Sequence, residues 1–161
     1  MEEVKGFLIK LLLFLVIMFT LFGVIFGLAQ APNDDMFPRI SAGDLMLYYR
    51  LPSAWHNEDV LVYIKEGQLY VGRIVARSGD TVDITDQGAL KVNGSTVQEN
   101  RIYFKTLPYD SEVSYPLTVG TDQFFVLSDM REGGKDSRWF GCISKEEVKG
   151  KVISILRRND L

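Results

Sequence analysis

The stretch LLLFLVIMFTLFGVIFGLA, Leu11 to Ala29, carries no charged residue over 19 consecutive positions. As a helix rising about 1.5 Å per residue, it spans a hydrocarbon core of roughly 30 Å. A helix that is apolar on every side has no face to give to water, so the rest of the chain must be a body hung from a membrane segment. The residues GFLI before Lys10 extend the run, with the lysine stem snorkelling toward the interface. Lys5 and Lys10 flank one end, and Asn33, Asp34 and Asp35 follow the other. Glu2 and Glu3 count little in the positive-inside rule, so the N-terminus is expected in the cytoplasm and the remainder outside it. A cleavable signal peptide is the competing reading, but the run exceeds the usual apolar core of one and GLAQA is a mediocre cleavage site. Residues 1–30 are therefore read as a cytoplasmic tip and permanent anchor in the cell membrane. Residues 31–161 are read as one extracytoplasmic domain.

A chain of 161 residues has room for one such domain and little else. A net charge of −3, with no basic cluster interleaved with aromatics, argues against a nucleic-acid partner. A single histidine, His56, and a single cysteine, Cys142, are too few for a zinc site. No metal or cofactor is expected, and a metal would find only carboxylate ligands. Cys142 cannot close an internal disulfide and is read as a small buried apolar side chain near WFGCI. His56 and Trp55 lie in the loop LPSAWHNEDV, where packing at a sheet edge is the favoured role for the tryptophan over contact with the membrane or a partner. The end RRND, 157–160, reads as a solvated tail.

From Ala31 onward, β-branched and aromatic runs alternate with turn residues. DLMLYY, DVLVYI, QLYVGRIVAR, TVDI, ALKVNG, QFFVLS and KVISILRR read as strands. KEGQ, SGDT, TDQG, NGST and MREGGKD read as the turns between them. One soluble helix is expected at SKEEVKG, with Ser144 as N-cap, Glu147 completing a capping box and Gly150 as stop. The fold class is mainly β: a compact antiparallel domain with one N-terminal transmembrane helix.

Three segments carry candidate chemistry: DDMFPRISAGDLML (34–47), LYVGRIVARSGDTVDI (69–84) and LSDMREGGKDSRWFG (127–141). Their order behind one anchor resembles type I signal peptidases, the membrane-bound serine proteases that remove signal peptides, over essentially the whole chain. That family's first motif is Ser-Met-x-Pro-Thr followed by Gly-Asp. Met36, Pro38, Gly43 and Asp44 match it, with Asp35 at the serine position and Arg39 at the threonine position. Its second motif is Tyr-Val-Lys-Arg leading to Pro-Gly-Asp. Tyr70, Val71, Arg73, Gly79 and Asp80 match, with Gly72 at the lysine position. Its third is Gly-Asp-x-Arg-x-x-Ser-x-Asp-Ser-Arg. Asp129, Arg131, Asp136, Ser137 and Arg138 match, with Ser128 at the glycine position and Gly134 at the position of a serine that orients the lysine. The resemblance implies the signal peptidase β-fold.

In that family a serine hydroxyl attacks the peptide carbonyl while a neutral lysine amine takes its proton. Attack by a carboxylate at position 35 would yield a high-energy mixed anhydride, and a glycine at 72 supplies no base. Serine–lysine catalysis is thus unavailable, and reverting 35 and 72 alone is expected to restore little while Gly134 remains. An aspartic dyad requires two carboxylates near 3 Å apart. Asp34 and Asp35 are consecutive and point apart in an extended chain. Asp129 and Asp136 are expected to pair with Arg73, Arg131 and Arg138 and so fix their loop.

By resemblance, an extended peptide lies along Asp35, Met36, Phe37, Pro38 and Ile40 and along Tyr70, Val71 and Gly72, adding to a sheet edge. Core filling is an equal reading for Met36 and Ile40. Asp35 and the space beside Gly72 are one candidate receptor for a polar or basic client group. Aspartate and glycine at these two positions resemble the degenerate signal peptidase-like proteins encoded with surface pili in Gram-positive cocci, which assist sortase-dependent polymerisation without cleaving. That implies an accessory or chaperone role toward a pilin precursor or the pilus sortase. The alternatives are a peptidase with a substituted mechanism and a regulator that binds signal peptides.

Overall fold

The computed structural model describes residues 2–100 and 102–157. Of the polar tail, Arg157 is described and residues 158–160 lie outside the described residues. The chain opens with helix α1, Glu2–Phe19, which widens into a π turn over Thr20–Ile25. The Thr20 hydroxyl donates to the Val16 carbonyl at 2.9 Å at the point where the turn widens, a back-bond that commonly bends helices. Together these 24 residues, none of them buried in the window of mean hydropathy 2.8, are long and apolar enough to cross a membrane. The helix differs from the expected span at both ends. It starts at Glu2, and the last residues of the apolar run turn into strand β1, Phe26–Gln30. Those residues find ladder partners in strand β2, Leu45–Tyr49, and a backbone group paired in a sheet needs no helix.

The joint between helix and sheet is tight. The Arg50 N–H donates to the Ile25 carbonyl at 2.9 Å, and its Nε donates to the Phe26 carbonyl at 3.0 Å. Gly27 lies under the Tyr48 ring, where a Cβ would come within 2.5 Å of the Tyr48 hydroxyl and closer to the ring.

The remaining strands are β3 Val60–Lys65, β4 Gln68–Arg77, β5 Thr81–Ile84, β6 Leu90–Val92, β7 Ser95–Thr96, β8 Leu117–Thr118, β9 Gln123–Leu127, β10 Ile143–Ser144 and β11 Val148–Leu156. A seven-stranded sheet runs β1-β2-β11-β3-β4-β9-β10 and a four-stranded sheet β7-β6-β5-β8, all pairs antiparallel. The β3–β4 hairpin closes on Glu66 and Gly67, both at positive φ, and β6–β7 on Asn93 and Gly94 in the same way. Two consecutive left-handed residues give the turn whose twist matches the strands it joins.

The alternation of β4 divides the core. Val71 packs with Met36, Ile40, Met46, Tyr48 and Val62 on one face. Tyr70 and Ile74 pack with Leu61, Tyr63, Phe124, Val126 and Ile143 on the other. A bulge between Ile74 and Ala76 delivers Val75 and Ala76 to a third cluster shared with the small sheet. Cys142 is half-buried against that cluster, and burial pushes its thiol up from the ordinary value. Trp55 packs on Phe124 with ring centroids 5.5 Å apart, the expected edge role.

The helix expected at SKEEVKG is a single 3-10 turn, Lys145–Glu147. Its capping box forms as read, between Ser144 and Glu147. The β-branched run that follows then takes the chain into β11, and Gly150 is a strand residue pressed against the backbone of Tyr49. A short helix α2, Ser137–Phe140, was not expected; the Asp136 side chain caps it by accepting the Arg138 N–H at 3.0 Å.

Candidate functional site

The first motif is a turn over residues 35–39, containing a cis Phe37–Pro38 peptide. It is anchored from below: Met36 and Ile40, 1% and 2% exposed, are core residues. The Asp35 carbonyl accepts the Met130 N–H at 2.8 Å, and the Met36 sulfur lies 3.4 Å from the Asp129 nitrogen. Anchoring residue 36 leaves its neighbours facing outward. Asp35 is half-buried, and Phe37 is 47% exposed. The Asp35 carboxyl accepts from Asn33 Nδ2 at 2.9 Å, while Asn33 Oδ1 accepts the Asp35 N–H at 3.1 Å. Burial raises the Asp35 pKa. The charges of Asp136 and Asp34 add to that rise, and the Asn33 hydrogen bond opposes it.

Strand β4 supplies the second motif. Gly72 is buried in extended backbone on the same face as Tyr70. The expected empty space beside it is partly filled, since a Cβ there would meet Tyr63 Cε1 and Val126 Cβ at 3.4 Å and the Leu127 carbonyl oxygen at 3.5 Å. Tyr63 is fully buried, stacked on Tyr70 at 5.7 Å and edge-on to Phe140 at 6.4 Å. Its hydroxyl has no hydrogen-bond partner among the described residues. Burial, then the negative field of Asp136 and Asp35, holds that hydroxyl well above its ordinary pKa.

The third motif is a loop held by two buried ion pairs. Arg73 Nε and Nη2 reach Asp129 Oδ1 and Oδ2 at 2.7 and 2.5 Å, the bidentate geometry favoured by guanidinium and carboxylate. Burial opposes the Arg73 charge, and the Asp129 hydrogen bonds together with the negative charges of Asp129, Glu58 and Glu99 outweigh it and raise the pKa. Asp136 is saturated: Oδ1 accepts from the Arg138 N–H and Nε at 3.0 Å. Its Oδ2 accepts from Arg138 Nη2 at 2.8 Å, the Ser128 N–H at 3.0 Å and the Ser128 hydroxyl at 2.8 Å. Removing one partner of such a pair costs about 3–5 kcal/mol. Arg131 departs from the expected pairing. It bonds the Ser128 carbonyl at 2.8 Å, Glu99 at 2.5 Å and the Thr106 hydroxyl. The irregular segment after β7 brings Glu99 to it, a contact without any local sequence signal.

Chemically, no second carboxyl among the described residues is placed to share a proton with Asp35. Asp136 is the carboxylate whose charge raises the Asp35 pKa most, yet both its oxygens are already occupied by Arg138 and Ser128. An acid pair needs one shared proton between two carboxyls, and neither oxygen of Asp136 is free of other partners to share one with Asp35.

The residues read from sequence as one lining divide three ways. Met36, Ile40 and Val71 lie in one core layer, Tyr70 and Gly72 in another, and Asp35, Phe37 and Pro38 on the surface. A groove of about 490 Å3 lies beside them, lined among others by Arg39, Glu58, Arg73, Glu99 and Asp129. Sequence reasoning passed over Asn33 and Tyr63. The Glu66–Gly67 turn held the signal for Tyr63, because a two-residue hairpin fixes the register that pairs Tyr63 with Tyr70, next to Gly72.

Residues 4–156 match the family described as "Signal peptidase, peptidase S26". A protein named "Inactive signal peptidase IA" from Staphylococcus aureus (strain COL) is 29% identical, over 94% of this chain and 91% of its own length. "Signal peptidase I" of Leptolyngbya laminosa is 24% identical, over 76% of this chain and 64% of its own. The crystal structure of a signal peptidase I from Enterococcus faecalis V583 superposes with a TM-score of 0.54 at 24% identity, covering 65% of this chain and all of that one. That likeness carries the fold, an antiparallel β-domain behind an apolar N-terminal helix. With a match over nearly its whole length, the chain belongs to the signal peptidase S26 family.

Proposed function

We propose that this chain is a membrane-anchored, catalytically inactive member of its family that assists sortase-dependent pilus assembly. It binds a pilin precursor or the pilus sortase at the outer face of the membrane. One observation carries the reading: an aspartate and a glycine, Asp35 and Gly72, stand at the serine and lysine positions. Neither nucleophile nor base is then available, and Asp136 is too fully bonded to make an acid pair with Asp35. The name of the Staphylococcus aureus relative, an inactive signal peptidase, supports the same direction. The turn over residues 35–39 remains built and anchored, with Phe37 and Pro38 offered to solvent above Met36 and Ile40. An extended client segment would lie along this turn and β4. The apolar helix fits a single-pass anchor, and Lys5 and Lys10 favour a cytoplasmic N-terminus.

The test is deletion of the gene in a piliated Gram-positive host. High-molecular-weight pilin polymers should collapse to monomer and return on expression of the full chain, and tagged full chain should co-purify pilin or sortase. Polymers unchanged by deletion would overturn this function. Binding of isolated signal peptides alongside unchanged polymers would favour the regulator reading instead. A substituted peptidase mechanism draws on one observation, a half-buried Asp35 carboxyl whose pKa burial raises.

A further inference from the structure

Relative to the family pattern, positions 128 and 134 are exchanged: a serine stands for the glycine and a glycine for the serine. These two positions meet in space. A Cβ built on Gly134 would lie 2.8 Å from Ser128 Cβ, closer still to its Oγ, and 3.0 Å from the Met130 carbonyl oxygen. Interiors packed at crystal density do not absorb such an overlap, so the niche holds one side chain and not two. Ser128, 1% exposed, fills it from the end of β9. Its hydroxyl proton is shared between Asp136 Oδ2 at 2.8 Å and the Met130 carbonyl at 2.9 Å. The Met130 N–H in turn holds the Asp35 carbonyl.

We propose that Ser128 and Gly134 are a coupled pair that locks the third-motif loop, so that positions 128 and 134 join 35 and 72 in keeping this chain from serine–lysine chemistry. This rests on the inactive reading of the site. With Ser128 in the niche, the one hydroxyl there has its proton committed to Asp136 and Met130, and a serine at 134 cannot enter. Removing Ser128 opens the niche to a side chain from residue 134, carried on the opposite wall. Ser128 therefore acts as a positioning residue through steric exclusion, without touching a client.

The experiment uses the full chain in detergent, with thermal unfolding and cleavage of a pre-protein bearing a signal peptide as readouts. Gly134→Ser alone should lower the melting temperature by roughly 5 °C, and adding Ser128→Gly should recover most of that loss. A Gly134→Ser chain as stable as the parent, or no recovery in the pair, overturns the coupling. Asp35→Ser with Gly72→Lys should leave cleavage at background. The chain changed at all four positions should cleave at least about a hundredfold faster than that double variant. Equal rates in the two, with both folded, overturn the lock. The pilus assay bears on function alone and is indifferent to these results, so the two ideas fail separately.

Discussion

Asp35 keeps a half-buried carboxyl group whose hydrogen-bonding side-chain partner is Asn33, with the charges of Asp136 and Asp34 nearby. Its folded-state pKa lies above the ordinary value of 3.8, chiefly through burial. Between those two values the native chain binds more protons than the unfolded one, so stability falls as pH rises through that window. Above it, the charged Asp35 is a constant penalty. Asp35→Asn should therefore melt higher than the parent at pH 7, with the difference closing below about pH 4. Thermal melts of both chains across pH 3 to 8 check this, and a parent that is the more stable one at pH 7 would contradict it. The identity of this residue was plain in the sequence. Its environment was not, because Asp136 lies a hundred residues away and reaches it only through the third-motif loop.

At the scale of elements, β4 and β5 run over the residues read as strands, because β-branched and aromatic runs bounded by turn residues carry their own signal. The misread places are those where partners far along the chain decide. Phe26–Gln30 is as apolar as the helix before it, and only the ladder with β2 makes it a strand. Lys145–Glu147 has a helix start without the length to continue. Tyr63 mattered through register, and Ser128 through the space at Gly134. The junction of helix and sheet rests on Gly27, over which the Tyr48 ring lies directly. Gly27→Ala should force β1 off β2, costing about 1–3 kcal/mol, and should speed limited proteolysis between α1 and β2. Proteolysis unchanged from the parent would show that the joint does not depend on this close approach.

For the whole molecule, one apolar helix enters the edge of a seven-stranded sheet. That sheet carries Gly72 in its interior and is clamped to the first-motif turn by the Arg73–Asp129 pair and the Met130–Asp35 backbone bond. The scaffold of a signal peptidase is thus kept, and on the proposed reading Asp35 and Gly72 stand at its serine and lysine positions. The sharpest measurement is incubation of the full chain in detergent with a pre-protein bearing a signal peptide, next to Asp35→Asn and an active signal peptidase I. Lack of cleavage by either form of this chain, with processing by the active enzyme, is the expected result. Cleavage by the parent chain that is lost in Asp35→Asn would contradict the inactive reading outright.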